Sequence, residues 1–251
     1  MPGNEKSLIL FLLKNRNKLN LKHLKTIKKI ENPSKNGLVE IHSDEDVSSL
    51  VKESSSQKKA DIFINGKGIS LKQTGGSKAF NKFQRKWAKD FFKYLGFKAV
   101  EIKLELLDKA VKDFHNGKLI SRDYPWANIF TENEYKKFLH HLMMNGNQHS
   151  ESDFKAEFIV TAPKNPVLGT ISIYSFDEYF KKYKDDSYLC IRRVWTNQSS
   201  KSESARAKSI AKNKHNKNWV FDGSVGTPRN GFDVHEEVIK TVYYLDIGIK
   251  Y

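Results

Sequence analysis

Asn65-Gly66 lies between two β-rich apolar runs, Ala60 to Ile64 and Lys67 to Lys72, and no other stretch restricts the fold as tightly. Both residues tolerate the positive φ of a type I′ turn, so the stretch is predicted to fold as a β-hairpin with Asn65 and Gly66 as its loop. Ile64 then pairs with Lys67, and Asp61 comes opposite Ser70. Directly opposed residues share a face of a sheet, as do residues two apart on one strand. Asp61, Ser70 and Lys72 therefore project together. A loop of 65–68 would keep that parity; an odd loop would break it. The reverse face carries Ile62, Ile64, Ile69 and Leu71, an apolar set suited to a core. Gly75-Gly76-Ser77 follows, where the backbone is free to approach a ligand and N–H groups at a helix start can hold an anion. An ordinary strand-to-helix turn with Ser77 as its cap accounts for these residues equally well.

The flanks supply a frame. Residues 6–30 read as a helix broken near Asn17 and Asn20, with Lys22, Lys25 and Lys29 on one face, either solvated or tracking phosphates. Residues 32–37 form a turn, 38–41 a strand, and 43–53 a helical piece with Ser43 and Asp46 at capping-box spacing. Phe80, Phe83, Trp87, Phe91 and Leu95 recur at helical spacing and predict a helix from about Lys78 to Tyr94 that covers the sheet. Gln84 falls within that stripe and Asp90 on its flank. Gly96 stops the helix, and 97–106 reads as a strand or a strand running into a helix.

Further on, 105–117 is predicted helical and 123–126 a loop. Thr131 and Glu134 open a helix to about Met144. Strands follow at 154–161 and 169–175, a helix at 176–183, a strand at 188–195, and closing strands at 219–221 and 241–249. With no internal repeat and no clear linker, a single domain over 1–251 is the economical reading.

Charge narrows the partners. The 251 residues carry 44 Lys and Arg against 29 Asp and Glu, a formal charge of +15, which favours a polyanion. The lone cysteine, Cys190, excludes an internal disulfide and a multi-cysteine zinc site and suits a reducing compartment. Leu8 to Leu13 is too short an apolar run to span a bilayer and lacks a signal-peptide cleavage site. A soluble, cytoplasmic protein without a membrane partner is expected.

A helix, three antiparallel strands, a helix and a strand, with Asp61 on the second strand and Lys72 on the third, resembles the PD-(D/E)XK nuclease superfamily, and within it a type II restriction endonuclease. The resemblance implies an α+β fold: a central mixed β-sheet flanked by helices, with an α-β-β-β-α-β core over about 6–105 and a C-terminal α/β extension over about 106–251 that reads DNA. Asp61 matches the superfamily's metal-binding aspartate and Lys72 its catalytic lysine. Ala60 replaces a frequent proline, and Ser70 stands where a second carboxylate is usual.

The implied activity is Mg²⁺-dependent, sequence-specific cleavage of double-stranded DNA. Cutting a phosphodiester needs a metal to activate water and offset charge, and Mg²⁺ prefers carboxylate and carbonyl oxygens. Asp61 and the backbone carbonyl of Leu71 are the expected donors, with Lys72 orienting water and stabilising the developing charge. Serine is a poor Mg²⁺ ligand, so a second acid must come from elsewhere. Asp90 is the first candidate, with Glu31, Glu40, Glu45 and Glu53 as alternatives. Gln73, Gly75, Gly76, Ser77, Arg85 and Lys86 are expected to touch DNA near the site, and Arg206, Lys208, Lys212 and Lys214 to do so from the basic run 201–217. A repair or junction-resolving nuclease and a non-catalytic nucleic-acid-binding protein are the competing readings. Monomer and homodimer both stay open.

Other groups carry less. His140 and His141 diverge on a helix, and His149 adds no fixed ligand spacing. His235-Glu236-Glu237 lacks the second histidine of a zinc-protease helix. Cys190 reads as a buried thiol, and Trp126 and Trp195 as core aromatics before base-stacking ones.

Overall fold

A computed structural model of the chain describes residues 3–50, 58–74, 79–115, 118–121, 123–195 and 241–249. The central hairpin forms as predicted. Strands β5 (Ile62–Ile64) and β6 (Lys67–Gln73) pair antiparallel, with Ile64 opposite Lys67 and Ile62 opposite Ile69. Asn65 and Gly66 turn at φ 51° and 78°, as a type I′ loop requires. The Asn65 amide also explains why this position is not glycine. Its Oδ1 accepts from the backbone N–H of Lys28 and Lys29 at 2.8 and 3.1 Å, while its Nδ2 donates to the carbonyls of Leu24 and Thr26 at 3.1 and 2.9 Å.

The described residues gather into two compact units, one drawn from Met1–Lys78 and Lys136–Asp186, the other from Ala79–Tyr135 and Ser187–Ile249. The units therefore interleave in sequence, whereas the division expected was a core over about 6–105 followed by an extension.

In the first unit, helix α1 (Gly3–Lys14) leads to a small hairpin of β1 (Asn20–Leu21) and β2 (Lys25–Thr26). Strands β3 (Ile30–Ser34) and β4 (Gly37–Glu40), helix α2 (Asp44–Leu50), and β5 and β6 come next. The chain returns within α5 (Glu132–His140), loosens into a π-turn (His141–Asn145), and adds β9 (Phe158–Ala162), β10 (Ser172–Ser175) and α6 (Phe176–Tyr183). The strands make a mixed six-stranded sheet in the order β10-β9-β6-β5-β3-β4. Every neighbouring pair is antiparallel except β6 and β9, which run parallel with Lys72 beside Thr161. The fold is α+β.

Period-two alternation decides which face is buried. Ile62, Ile64, Ile69, Leu71, Val160 and Ile173 lie in one apolar cluster with Leu8, Ile9 and Leu12 of α1 and with Leu21, Leu24 and Ile27 around the small hairpin. Full burial of each such side chain stabilises by about 1.5–3 kcal/mol. This cluster fixes α1 and the β5–β6 hairpin relative to one another.

The second unit holds β7 (Ala79–Gln84), α3 (Arg85–Tyr94), α4 (Val100–His115), β8 (Asp123–Tyr124), a short 3₁₀ turn (Trp126–Asn128), β11 (Ser187–Trp195) and β12 (Thr241–Ile249). Its sheet is antiparallel in the order β7-β12-β11-β8. Phe92 packs against Phe97 and Phe130 at 5.4 Å between ring centroids in each case.

Three expectations are corrected. The helix predicted over 78–94 begins as a strand, because β7 pairs with the distant β12, Phe83 meeting Leu245, and only Arg85 to Tyr94 is helical. The strand predicted over 97–106 is the start of α4. Gly96, at φ 72°, closes α3, with Phe97 N–H donating to the Phe92 carbonyl at 3.0 Å. The second half of the helix predicted over 6–30 is the β1–β2 hairpin, so Lys22, Lys25 and Lys29 share no helical face. In consequence, the helix and strand that follow β6 in the first unit are α5 and β9, not 78–106. The capping boxes of Ser43 with Asp46 and of Thr131 with Glu134 form, and α6 spans the predicted residues. The expected strand at 219–221 lies outside the described residues.

Candidate active site

Strand β5 stops at Ile62, and Asp61 completes the ladder with its side chain. The Asp61 N–H donates to the Ile69 carbonyl at 2.8 Å, and its Oδ2 accepts from the Leu71 N–H at 2.7 Å. The second oxygen, Oδ1, is bonded to nothing among the described residues. The N–H and C=O of one strand residue leave on the same side, so the Leu71 carbonyl opens toward Asp61 as well. Lys72 and Ser70 lie on the face predicted for them, beside Thr161 and Ile159 of β9.

Ser70 is 1% exposed, and its Oγ has no hydrogen-bond partner among the described residues. An unsatisfied buried hydroxyl costs about 1–3 kcal/mol.

The carboxylate that joins Asp61 is Glu5, in the first turn of α1. Burial, and then the charge of Asp61, push its carboxyl up from 4.5 to about 7, with Lys72 and Lys58 opposing. Two lysines just upstream of Asp61 share this field. Burial, then the Lys72 charge, pulls Lys59 down to about 8 against the pull of Asp61. Burial also lowers Lys58, against Asp61 and Glu5, and its Nζ donates to the Pro33 carbonyl at 3.3 Å.

The sequence does hold a signal for Glu5. It precedes Leu8, Ile9 and Leu12 by three, four and seven residues, so it sits on the buried stripe of α1, one turn before the apolar residues begin.

A brace holds the aspartate in place. Phe154 to Glu157 crosses the hairpin and bonds both strands: the Phe154 carbonyl accepts from Lys59 and Ala60 N–H at 3.0 and 2.9 Å, and Glu157 N–H donates to the Gly68 carbonyl at 2.7 Å. Gly68 is required for this approach, since a Cβ there would lie 2.1 Å from the Lys155 carbonyl oxygen. The π-turn supports the brace through the Met144 carbonyl, which accepts from Ala156 N–H at 2.8 Å.

The remaining candidates are dispersed. Asp90 is exposed on α3 of the second unit, whereas Glu5 and Asp61 both belong to the first. Glu31 is paired with Lys29 at 2.7 Å, Glu40 approaches Lys29 at 3.9 Å, and Glu45 is in the first turn of α2. Gln73 ends β6 beside Ala162. Arg85 donates through Nε and Nη2 to Asp108 at 2.7 and 2.8 Å, and Lys86 follows it on α3. Glu53, Gly75, Gly76, Ser77, the basic run with Arg206, Lys208, Lys212 and Lys214, and His235 to Glu237 lie outside the described residues.

His141 is buried against the Asn147 carbonyl at 2.8 Å, His140 meets the Phe176 ring, and His149 contacts Gln148. Cys190 is buried on β11 and in no disulfide, and Trp126 stacks on Tyr135 at 4.5 Å. Trp195 ends β11.

Among the described residues no three His, Cys, Asp or Glu side chains group as a metal site, and no helix is long and apolar enough to cross a membrane. The donors at hand are two carboxylates and a carbonyl. That set fits Mg²⁺, which keeps several waters and takes one or two carboxylates from a protein. Glu5, short of positive charge, and the unpartnered Ser70 hydroxyl fit a cation with its water shell. Comparison with protein-family models, with curated proteins and with solved structures finds no match.

Proposed function

We propose that the chain is a Mg²⁺-dependent endonuclease that cuts double-stranded DNA at a specific sequence, in the manner of a type II restriction enzyme. The observation that carries this reading is the mutual influence of the Glu5, Asp61 and Lys72 charges at one end of the mixed sheet, where Asp61 also binds the Leu71 N–H. The order α1, β3, β5, β6, α5, β9, with three antiparallel strands and then a helix leading to a parallel strand, supports it. So does the +15 charge.

Asp61 and Glu5, with the Leu71 carbonyl, would hold Mg²⁺. When bound, the ion acidifies water and offsets charge on the phosphoryl oxygens. The water oxygen gives up a proton to solvent and bonds to phosphorus as one P–O ester bond breaks, and the leaving alkoxide takes a proton from solvent. The Lys72 ammonium would orient the attacking water and offset the charge of the pentacovalent state. Ser70 offers a short hydroxyl to the same water.

Incubation with a mapped plasmid and Mg²⁺ tests the reading, with discrete fragments expected. Asp61→Ala and Lys72→Ala should each lower cutting by about a thousandfold or more and leave DNA binding largely intact. Full Mg²⁺-dependent cleavage by either variant overturns it. Cutting confined to branched DNA favours junction resolution, and salt-sensitive binding without cutting favours a binding module.

A further inference from the structure

We infer that the β9–β10 loop, 163–171, is a DNA-contacting wedge whose tip, Val167-Leu168, enters the duplex beside the cut; the inference rests on the nuclease reading for its ligand. Three observations converge on this loop.

The first is position. Strands β6 and β9 run parallel, so the loop leaves β9 at the end of the sheet that carries Lys72. Lys72 is beside Thr161, and Thr161 beside Ser172. The feet of the loop thus stand about 5 and 10 Å from the Lys72 backbone, one and two strands across. Thr74 N–H donates to the Ala162 carbonyl at 2.8 Å and ties the end of β6 to the base of the loop.

The second is chemistry. Val167 and Leu168 are 58% and 51% exposed, adjacent apolar side chains at the tip. Lys164 and Asn165, also exposed, lie on the ascending limb. Two large apolar groups exposed side by side gain from burial when a partner covers them. Apolar wedges next to cationic and amide side chains are what proteins insert between base steps, the cation meeting phosphate while the wedge unstacks the bases.

The third is rigidity. Thr170 N–H donates to the Val167 carbonyl at 3.1 Å, and Gly169 at φ 89° gives the turn a conformation that glycine adopts freely. The Thr170 hydroxyl accepts from Val167 N–H at 3.0 Å and donates to the Val167 carbonyl at 2.8 Å. Pro163 and Pro166 fix φ on the way up. A tip held this firmly loses little entropy when it enters a groove.

The test uses the full chain in the Lys72→Ala background, which keeps plasmid intact. Closed circular plasmid is relaxed with a topoisomerase in the presence of protein, and its linking number is read on a gel. Duplex affinity is measured in parallel by fluorescence anisotropy. The Lys72→Ala protein should shift the linking number. Adding Val167→Ser and Leu168→Ser should remove the shift and weaken affinity about tenfold, with circular dichroism and Tm unchanged because both side chains are exposed.

A retained shift and affinity in the triple variant overturns the inference. So does failure of the Lys72→Ala protein to bind duplex, or a Val167→Ser/Leu168→Ser protein that loses self-association while DNA affinity holds. If wild type cuts no DNA but shifts the linking number through this tip, the nuclease reading fails and the wedge stands.

Discussion

Glu5 and Glu178 are both first-turn acids of helices in the first unit, both set among cations, and they titrate in opposite directions. Glu178 is satisfied from every side. It accepts from Ser175 N–H at 2.8 Å in a capping box, contacts His23 Nε2 at 2.7 Å, and pairs with Lys22. Those partners, Lys22 first, hold its carboxyl down near 2. Glu5 accepts no hydrogen bond among the described residues, and burial beside Asp61 holds it near 7. The contrast separates a carboxylate that fastens α6 to the β1–β2 hairpin from one kept short of partners at the site. The first is a structural tie; the second leaves room for a ligand charge.

The largest test of this contrast is catalytic. Glu5→Gln should lower plasmid cutting about a hundredfold or more, while Glu178→Gln leaves it within about twofold. Equal losses would erase the distinction. Metal linkage follows: Mg²⁺ should raise the Tm of wild type, and should do so much less for Glu5→Gln and Asp61→Ala, because only binding to the folded site stabilises. An unchanged Mg²⁺ response in both variants would remove Glu5 and Asp61 from the metal site.

The pH dependence sharpens the comparison further. The folded-state pKa of Glu5 is raised, so its charge opposes folding as pH climbs from its ordinary value of 4.5 through about 7. In chelator, Glu5→Gln should therefore melt above wild type at pH about 8, the gap closing by pH about 4. Glu178 runs the other way. Its stabilisation is present above 4.5 and is lost as pH falls toward about 2. Thermal melts of Glu178→Ala should be lower than wild type at neutral pH and converge with it in acid, with Glu178→Gln between them because its amide can still accept from Ser175. Lys22→Ala should have the smallest effect, since its side chain is 68% exposed.

What could be read in advance follows the range of the interactions. The β5–β6 hairpin was legible because the Asn-Gly turn and the period-two alternation are local, and with them Ser70 and Lys72 came onto one face of β6; Asp61 departs from the predicted pairing, its N–H meeting the Ile69 carbonyl and its carboxylate the Leu71 N–H. The capping boxes at Ser43 and Thr131 and the bounds of α6 were legible for the same reason. Residues 79–106 misled because Phe83 and Phe91 keep helical spacing across a strand-to-helix junction, and the strand exists only through its pairing with β12. Glu5 carries no local mark of its partnership with Asp61, since Asp90 and the glutamates of 31–53 lie nearer the hairpin in sequence. The acid that meets Asp61 is carried there by a helix packed under the sheet.

The parallel pairing of β6 with β9 also sets the order in which the molecule can become complete on the ribosome. The hairpin and α1 both emerge early and can pack together, but the edge of β6 waits for β9, and the brace over Asp61 waits for Phe154 to Glu157. The whole of 79–135 is synthesised in between. Until then β6 is an open strand edge of the kind that pairs with neighbouring chains. The nascent chain thus carries Asp61, Ser70 and Lys72 for much of its synthesis without the segment that fixes their geometry. An unfinished chain would hold these three side chains present but unaligned.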